Sequence, residues 1–211
     1  MSYLSERYEK TAATLKKNFE KRGINFFYCD TIQKAKEQVL SLIPKGASVG
    51  WGGSLSMEEA GVMDAIKNGD YNAIDRHRSS DPQEQRKIYG EIACADYFLM
   101  STNAFTLDGE LVNIDGLGNR VACLSYGPDK VIVLASIDKM CTDVDEAVRR
   151  VHLIAAPPNA LRVKADTPCA RTGVCADCLS PDCICCQTLI TRKSRIPGRI
   201  TVVLTGEHLG F

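Results

Sequence analysis

Apolar residues recur along the chain at two different spacings. Between residues 4 and 19 they return every three or four positions, which predicts an amphipathic helix that ends before Gly23. The aromatic run 24–29 predicts a short buried strand, and residues 32–43 repeat the helical spacing up to Pro44. The pattern therefore predicts helix, strand and helix in turn.

Helix-capping side chains mark two further helix starts. Ser56 and Glu59 form a capping box, in which each side chain accepts a hydrogen bond from a backbone N–H of the first turn, and they predict a helix over residues 57–67. Asp81 precedes Pro82, the usual order of an N-cap and a first helical proline. A helix is therefore expected from Pro82 onward.

A third helix start is expected near residue 142. Thr142 and Asp145 again match a capping box, which predicts a helix that runs to about residue 154. The pair Pro157-Pro158 is expected to end that helix, because proline in a helix interior removes a hydrogen bond and clashes with the preceding turn.

Short apolar runs between these helices predict strands. Asp108-Gly109 lies between two of them and is a strong signal for a hairpin. Strands that alternate with helices indicate a mostly parallel sheet covered on both faces, an α/β fold. The predicted strands are residues 47–50, 72–75, 97–101, 104–107, 110–114, 131–135 and 200–204.

The domain organisation follows from the position of the last strand. We expect one domain over residues 1–211 whose final strand, 199–205, rejoins the sheet after a cysteine-rich excursion over residues 166–190. A small separate C-terminal module is the alternative.

Composition excludes several classes of protein. The chain has 211 residues, of which 45% are hydrophobic, and 26 Lys+Arg balance 26 Asp+Glu. Zero net charge argues against bulk nucleic-acid binding, which needs a basic surface. No apolar run reaches the ~18–20 residues of a membrane span, and the charged N-terminus lacks the apolar core of a signal peptide. A cytoplasmic protein without nucleic-acid or membrane partners is expected, and a homo-oligomer is left open.

Six of the ten cysteines crowd into one short segment, which is unusual for a chain that can build an ordinary core. Cytosolic thiols stay reduced, so clustered cysteines there more often bind metal than form disulfides. Four thiolates hold either structural zinc or a 4Fe–4S cluster, and with no histidine nearby in the sequence the ligand set is expected to be all sulfur. A reduced loop and a redox disulfide switch are the alternatives. The six are Cys169, Cys175, Cys178, Cys183, Cys185 and Cys186.

A glycine-rich turn follows the predicted strand 47–50 and precedes a capped helix. Such a turn lets an anionic ligand approach backbone N–H groups, although a tight turn without a ligand explains it as well. The turn matches neither a dinucleotide-binding nor a Walker A motif. Its candidate ligand-binding residues are Gly50, Gly52, Gly53 and Ser54.

A second group of candidates lies where the strand 97–101 and the hairpin end. Asp115 is a candidate general base or hydroxyl anchor, and Arg120 a candidate clamp for a carboxylate or phosphate. Ordinary turn chemistry is the alternative. No nucleophile–base pair is evident, and His152 is expected to be structural or solvated. The candidates in this group are Ser101, Thr102, Asn103, Asn113, Asp115, Gly116, Asn119 and Arg120.

Motifs spread over nearly the whole chain resemble the LUD (lactate utilisation) domain family, in its LutC-like branch with a C-terminal cysteine segment. The motifs are Val49-Gly-Trp-Gly-Gly-Ser54, Ser101-Thr-Asn-Ala104, Asp108-Gly-x-Leu-Val-Asn113, Asp115-Gly-x-Gly-Asn-Arg120, Thr167-Pro-Cys169 and Gly206-Glu-x-Leu-Gly210. The resemblance implies a three-layer fold similar to the NagB/RpiA/CoA-transferase-like class. It also implies a link to the oxidation of L-lactate to pyruvate by a complex with iron–sulfur partner subunits.

The same resemblance implies which cysteines bind metal. Cys169, Cys175, Cys178 and Cys185 match the family positions, whereas Cys183 and Cys186 stand where relatives commonly have arginine and asparagine. Whether Cys183 or Cys186 belongs to the set of four metal ligands is therefore left undecided by the sequence.

Three functions are consistent with these patterns. The first is an accessory or electron-transfer subunit for oxidation of L-lactate or a related 2-hydroxy acid, with a 4Fe–4S cluster. The second is a stand-alone transferase or isomerase that binds a phosphate- or CoA-bearing substrate at the turn 50–54 and carries structural zinc. The third is a redox-sensing binding module. The residues and the resemblance together favour the first.

Overall fold

The structure, a computed structural model, describes residues 3–211. The helices are α1 (Tyr3–Lys21), α2 (Ile32–Ser41), α3 (Leu55–Glu59), α4 (Val62–Asn68), α5 (Pro82–Ala93), α6 (Asn119–Ser125), α7 (Val144–Arg150), α8 (Ala156–Arg162) and α9 (Pro168–Thr172). The strands are β1 (Asn25–Cys29), β2 (Ser48–Trp51), β3 (Asn72–Ile74), β4 (Tyr97–Met100), β5 (Ala104–Thr106), β6 (Leu111–Asp115), β7 (Lys130–Ser136), β8 (Met140–Cys141), β9 (Gln187–Thr191) and β10 (Ile200–Thr205).

Six strands form one parallel sheet in the order β1-β10-β7-β4-β2-β3. The last strand of the chain, β10, lies between β1 and β7, with Val202 beside Phe26 on one side and Val133 on the other. The mostly parallel sheet expected from the alternation of strands and helices is confirmed. All six carboxyl ends meet at one edge, so the loops that follow them share one region of the surface.

Helices cover both faces of this sheet. Ile132 and Leu134 of β7 face a core built with α2, α3 and α4. Val131 and Val133 of the same strand face a second core built with α1, α5 and α6. This alternation along β7 explains its uninterrupted apolar run, because a strand buried on both faces needs apolar residues at every position.

A second, four-stranded sheet has the order β8-β5-β6-β9. Its centre is the hairpin predicted at Asp108-Gly109, where Gly109 has a φ of 89° and β5 pairs antiparallel with β6. The strand β9, which leaves the cysteine segment and pairs antiparallel with β6, was not predicted. This pairing fixes the end of the cysteine segment against the hairpin.

The predicted single helix over residues 57–67 is wrong. Ser54, not Ser56, caps α3, and its hydroxyl accepts a hydrogen bond from the Met57 N–H at 3.3 Å. The helix stops after five residues, and α4 starts after Gly61, whose φ is 64°. Ser56 instead donates to Leu209 O at 3.3 Å. The pair read as a capping box therefore serves the C-terminal tail, which Glu59 also holds through the Gly210 N–H at 2.8 Å.

Of two other predicted helix starts, one agrees with the structure and one lies a residue away from the observed cap. Asp81 caps α5 as predicted, by accepting from the next two N–H groups of the helix at 3.0 and 2.9 Å. At α7 the cap is Asp143, one residue later than predicted, and it accepts from the Glu146 N–H at 2.7 Å. The Glu146 carboxylate in turn accepts from the Thr142 N–H at 2.6 Å. The predicted Thr142–Asp145 capping box is therefore not formed: Asp143 is the cap, and Glu146 reaches back to Thr142, one residue before it.

Pro157-Pro158 does not end the helix, contrary to the sequence prediction. A single π-helical turn over Val151–Ala155 joins α7 to α8, and the Ala156 N–H donates to Val151 O, five residues back. The prolines then occupy the first turn of α8, where their missing N–H groups are tolerated. The helical path therefore continues through α8 to Arg162.

Candidate functional site

A pocket of ≈ 190 Å³ lies at the edge where the parallel strands end. The loops after β2 and β4 form one side, and the end of β6 with the start of α6 forms the other. Nine of the twelve candidate ligand-binding residues line it. These are Gly53, Ser54, Ser101, Thr102, Asn103, Asp115, Gly116, Asn119 and Arg120.

The other three candidates do not line this pocket. Gly50 lies inside β2, where a Cβ would meet the side chain of Ile92 at 2.8 Å, so it allows α5 to pack on the sheet. Gly52 faces Arg120, whose Cγ would lie 3.3 Å from a Cβ at that position. Asn113 is fully buried, and neither its amide nitrogen nor its amide oxygen has a partner among the described residues.

Arg120 and Asp115 form a nearly buried ion pair in the pocket wall. Their side chains are 12% and 13% exposed, and Arg120 Nη2 lies 3.1 Å from Asp115 Oδ1. Arg120 Nη2 also donates to Asn103 Oδ1 at 3.0 Å and to Ile114 O at 2.8 Å. Burial lowers the pKa of Arg120, and Asp115 opposes that effect. Asp115 Oδ2 is buried without a partner in the described chain.

Three further cations line the pocket and were missed from the sequence: Arg76, Lys139 and Arg162. Arg76 follows β3 and Lys139 follows β7, so both come from the carboxyl ends of strands. That placement is the signal that the sequence offered, since ligands of open α/β sheets bind at these ends. With Arg120 there are four basic side chains, three of them arginines, and Asp115 is the one acidic side chain on the described wall of the pocket. The excess positive charge favours an anionic ligand.

Arg76 is the cation least committed to other protein groups. Its Nε is buried and has no partner in the described residues, and its Nη2 would lie 3.0 Å from a Cβ on Gly53. Gly53 therefore makes room for this guanidinium. Arg162, by contrast, donates to Asn159 Oδ1 at 3.0 Å.

Lys139 is buried, with 3% of its surface exposed. Its Nζ donates to Ser56 Oγ at 3.3 Å, and Ser56 is itself held by Leu209 O. Burial, followed by the charge of Arg150, lowers the pKa of Lys139 to about 7. The amine is therefore partly neutral near physiological pH.

The cysteine segment encloses a second cavity, of ≈ 80 Å³. Cys186 is not part of its wall, because that thiol is exposed and donates to Cys183 O at 3.1 Å. His152 does line the cavity, and its Nδ1 lies 3.5 Å from Cys175 Sγ. The expectation that no histidine is near the cysteines is thus wrong, because the π-helical turn brings His152 over the segment. The cysteines that line the cavity are Cys169, Cys175, Cys178, Cys183 and Cys185.

The donor chemistry of this cavity fits a thiolate-bound centre. The Asp177 N–H points at Cys175 Sγ at 3.4 Å, and the Cys185 N–H points at Cys183 Sγ at 3.4 Å, which are the contacts that support metal-bound thiolates. Burial and the neighbouring thiols raise the pKa of Cys185 to about 12. Within residues 3–211, however, no group of three or more His, Cys, Asp or Glu side chains is arranged so that it could hold a metal ion.

The model of the LUD domain family matches residues 12–205. The chain belongs to the LUD domain family. The family resemblance expected from the sequence motifs is confirmed by this match.

Several solved structures are similar to this LUD domain, and the first of those below shares its fold. A DUF162 family protein from Deinococcus radiodurans is 14% identical, with 94% of this chain and 98% of that chain covered and a TM-score of 0.51. Ribose 5-phosphate isomerase A from Neisseria gonorrhoeae is 13% identical over 54% of each chain, with a TM-score of 0.35. The corresponding isomerase from Methanocaldococcus jannaschii is 18% identical over 63% and 62% of the chains, also at 0.35. A comparison with curated proteins finds no match.

In this LUD domain, Ile184 belongs to the walls of both cavities. It comes between Cys183 and Cys185 in the sequence, and its Cα would lie 3.4 Å from a Cβ on Gly116. The two cavities are therefore neighbours that share Ile184 in their walls. None of the helices that the structure describes is long and apolar enough to cross a bilayer.

Proposed function

We propose that this LUD domain supports the oxidation of L-lactate, or of a related 2-hydroxy acid, as an accessory or electron-transfer subunit. One observation supports the proposal most strongly: a cationic pocket for a small anion and a cysteine-lined cavity share Ile184 in their walls. A substrate in the first cavity would then lie next to an electron acceptor in the second.

The pocket suits a small carboxylate in both charge and size. Arg76 has an unsatisfied buried Nε, and a guanidinium binds a carboxylate through two parallel hydrogen bonds. The Ser101 hydroxyl lines the same wall and, with only a 3.4 Å contact to Thr102 O, is a candidate partner for a substrate hydroxyl, whereas the Thr102 hydroxyl is already engaged by Ala104 O at 2.8 Å. A volume of ≈ 190 Å³ is well below the roughly 300–1,000 Å³ of pockets for drug-sized ligands, which favours a short acid over a CoA ester.

In the proposal, Cys169, Cys175, Cys178 and Cys185 hold a 4Fe–4S cluster, with Cys183 as the alternative ligand and zinc as the alternative metal. Such a cluster, when bound, accepts and passes on single electrons. The chain's own contribution is to direct backbone N–H groups at the sulfurs and to keep Ile184 between the thiols and the pocket. Cys186 lies outside the cavity, so we assign it no ligand role.

The proposed partners are the iron–sulfur subunits of a lactate-oxidising complex in the cytoplasm. Electrons that reach the cysteine segment have to leave through its outer surface, where Leu179 is fully exposed and Val174 is 62% exposed. Where exposed apolar side chains form a contiguous patch, they mark protein–protein contacts. The surface around Leu179 is therefore the proposed docking site for such a subunit.

Calorimetric titration of the anaerobically purified protein with L-lactate tests the pocket. Saturable binding is expected, and Arg76→Met is expected to abolish it. Arg78→Met is the matched control, because Arg78 lies on the same turn but pairs with Glu91 away from the pocket. Absence of lactate binding, or equal loss in both variants, contradicts the proposal. Binding of inorganic phosphate or CoA in place of lactate favours the transferase or isomerase alternative.

Metal and sulfide analysis of the same preparation tests the cysteine segment. Iron with an equal amount of sulfide is expected in the unmodified protein and is lost in Cys185→Ser. The matched control is Cys94→Ser, which changes an exposed thiol on a different part of the chain. Zinc without sulfide supports the alternative metal, and a protein with neither metal contradicts both.

A further inference from the structure

We infer that Lys139 is a nucleophile that forms a Schiff base with the carbonyl carbon of a small 2-oxo acid bound in the cationic pocket. The inference rests on the proposed function in one respect, which is that the ligand bound in the pocket is a small carboxylate. It adds a covalent step at Lys139. An accessory role in electron transfer does not require such a step.

Lys139 is placed rigidly at the end of β7. It ends the short 3₁₀ turn Ile137–Lys139, which directly follows that strand, and its side chain reaches the pocket wall. Its Nζ lies 3.3 Å from Ser56 Oγ, which in turn donates to Leu209 O. A Cβ on Gly210 would lie 2.4 Å from the same hydroxyl oxygen, so glycine at that position leaves room for the pair.

The charges around Lys139 leave its amine without an acidic partner in the described structure. Arg150 and Arg120 disfavour the protonated amine, whereas Asp138 and Glu59 favour it only from a distance. Both carboxylates are already engaged, Asp138 by His208 at 2.6 Å and Glu59 by the Gly210 N–H at 2.8 Å. A lysine that is buried beside other cations loses its proton more readily, and the neutral amine is the form that attacks carbonyl groups.

Arg76 has a complementary role in the step. Its guanidinium holds the carboxylate of the 2-oxo acid, which leaves the neighbouring carbonyl carbon facing the amine across the same pocket. A 2-hydroxy acid has no carbonyl at this carbon and therefore binds without reacting. The site would distinguish the oxidised acid from the reduced one by covalent chemistry.

The reaction is a condensation without a redox change. The lone pair of Nζ forms a bond to the carbonyl carbon, and the π electrons of the carbonyl move to its oxygen. One amine proton passes to that oxygen through the Ser56 hydroxyl, which gives a neutral carbinolamine. The carbinolamine then loses its hydroxyl group with the second amine proton as water, and an imine remains. The amine and the 2-oxo acid thus give one imine and one water.

Reductive trapping tests the inference directly. The anaerobically purified full-length protein is incubated with pyruvate and cyanoborohydride, and the adduct is located by peptide mass mapping. We expect a single reduced adduct on Lys139, at a rate that rises as the pH is raised through about 7. The exposed amines of Lys10 and Lys87 serve as internal controls. An unmodified Lys139, or labelling no greater than on these two lysines, overturns the inference.

Variants and a second titration separate this inference from the proposed function. Lys139→Met is expected to lose the adduct, and Ser56→Ala is expected to slow its formation. L-lactate is titrated in parallel, because it lacks the carbonyl. If lactate binds and no adduct forms, only the Schiff base is wrong. If the adduct forms and lactate does not bind, the nucleophile is supported and the 2-hydroxy-acid function is wrong.

Discussion

Ile184 packs over Gly116 where the cationic pocket meets the cysteine cavity. A Cβ on Gly116 would lie 3.4 Å from Ile184 Cα, which is ordinary van der Waals contact with the backbone of the cysteine segment. Gly116 belongs to the loop after β6, whereas Ile184 belongs to the cysteine segment that β9 anchors to the same strand. One contact therefore sets the spacing between the two cavities.

Changing Gly116 is expected to affect both cavities together. Gly116→Ala should be tolerated, because its methyl group meets Ile184 at contact distance. Gly116→Val should push the cysteine segment outward, which lowers both lactate affinity and iron content. Calorimetry and metal analysis of the two variants check this. A valine variant that loses one property and keeps the other contradicts the shared boundary.

Removing one partner of the Arg120–Asp115 ion pair is expected to be strongly destabilising. Arg120→Met leaves the 13%-exposed Asp115 carboxylate without its cation, and breaking a buried pair in this way costs roughly 3–5 kcal/mol. The double variant Arg120→Met/Asp115→Asn should recover part of that loss. Urea unfolding measures the free energy of each protein. Additive effects of the two substitutions would show that the pair is not coupled.

Arg199 provides a contrast, because its role is structural. Its guanidinium is buried and donates to Cys123 O, Leu124 O and Pro128 O. Arg199→Met should lower the free energy of unfolding by about 2–4 kcal/mol, since three buried carbonyl groups lose a donor. It should leave lactate affinity unchanged in the folded protein. A loss of affinity at a temperature where the variant is folded would assign Arg199 to the site.

The stability of the protein is expected to depend on the charge of Lys139. Its pKa is lowered from 10.5 to about 7 on folding, so below pH 7 the amine is charged in both the folded and unfolded states and the full cost of burying that charge is present. Above its ordinary pKa the amine is neutral in both states and the cost vanishes. Stability should therefore rise with pH across this window.

Comparison with Lys139→Met isolates this effect from other titrating groups. The variant should be more stable than the parent below pH 7, by an amount on the order of a few kcal/mol, and the difference should shrink toward pH 10. Denaturant unfolding at a series of pH values measures it. A difference that does not change with pH would show that Lys139 stays charged in the folded protein.

Local signals in the sequence predicted the parts of the fold that depend on local physics. The cap at Asp81 and the turn at Asp108-Gly109 need only neighbouring residues, and both were found. Ser56 and Glu59 misled because their partners are Leu209 and Gly210, some 150 residues away in the chain. Patterns among neighbouring residues in the sequence do not reveal contacts between residues so far apart in the chain.

The residues of the candidate site also divide into those that local sequence patterns reveal and those that only the fold reveals. Motif residues such as Asn103 and Arg120 were recognised because they stand at the ends of predicted strands and turns. Arg76 and Lys139 were not, because neither belongs to a recognised motif, and their role appears only when parallel strands bring their ends together. His152 likewise became a neighbour of Cys175 through a π-helical turn that no motif announces.

The most direct test of the account is electron paramagnetic resonance of the anaerobically purified, reduced protein, recorded with and without saturating L-lactate. An iron–sulfur cluster one side chain away from the bound acid predicts a signal that shifts when lactate is added and does not shift in Arg76→Met. Arg78→Met should behave like the parent protein. A protein without any iron–sulfur signal, or one whose signal is unchanged at saturating lactate, would contradict the account.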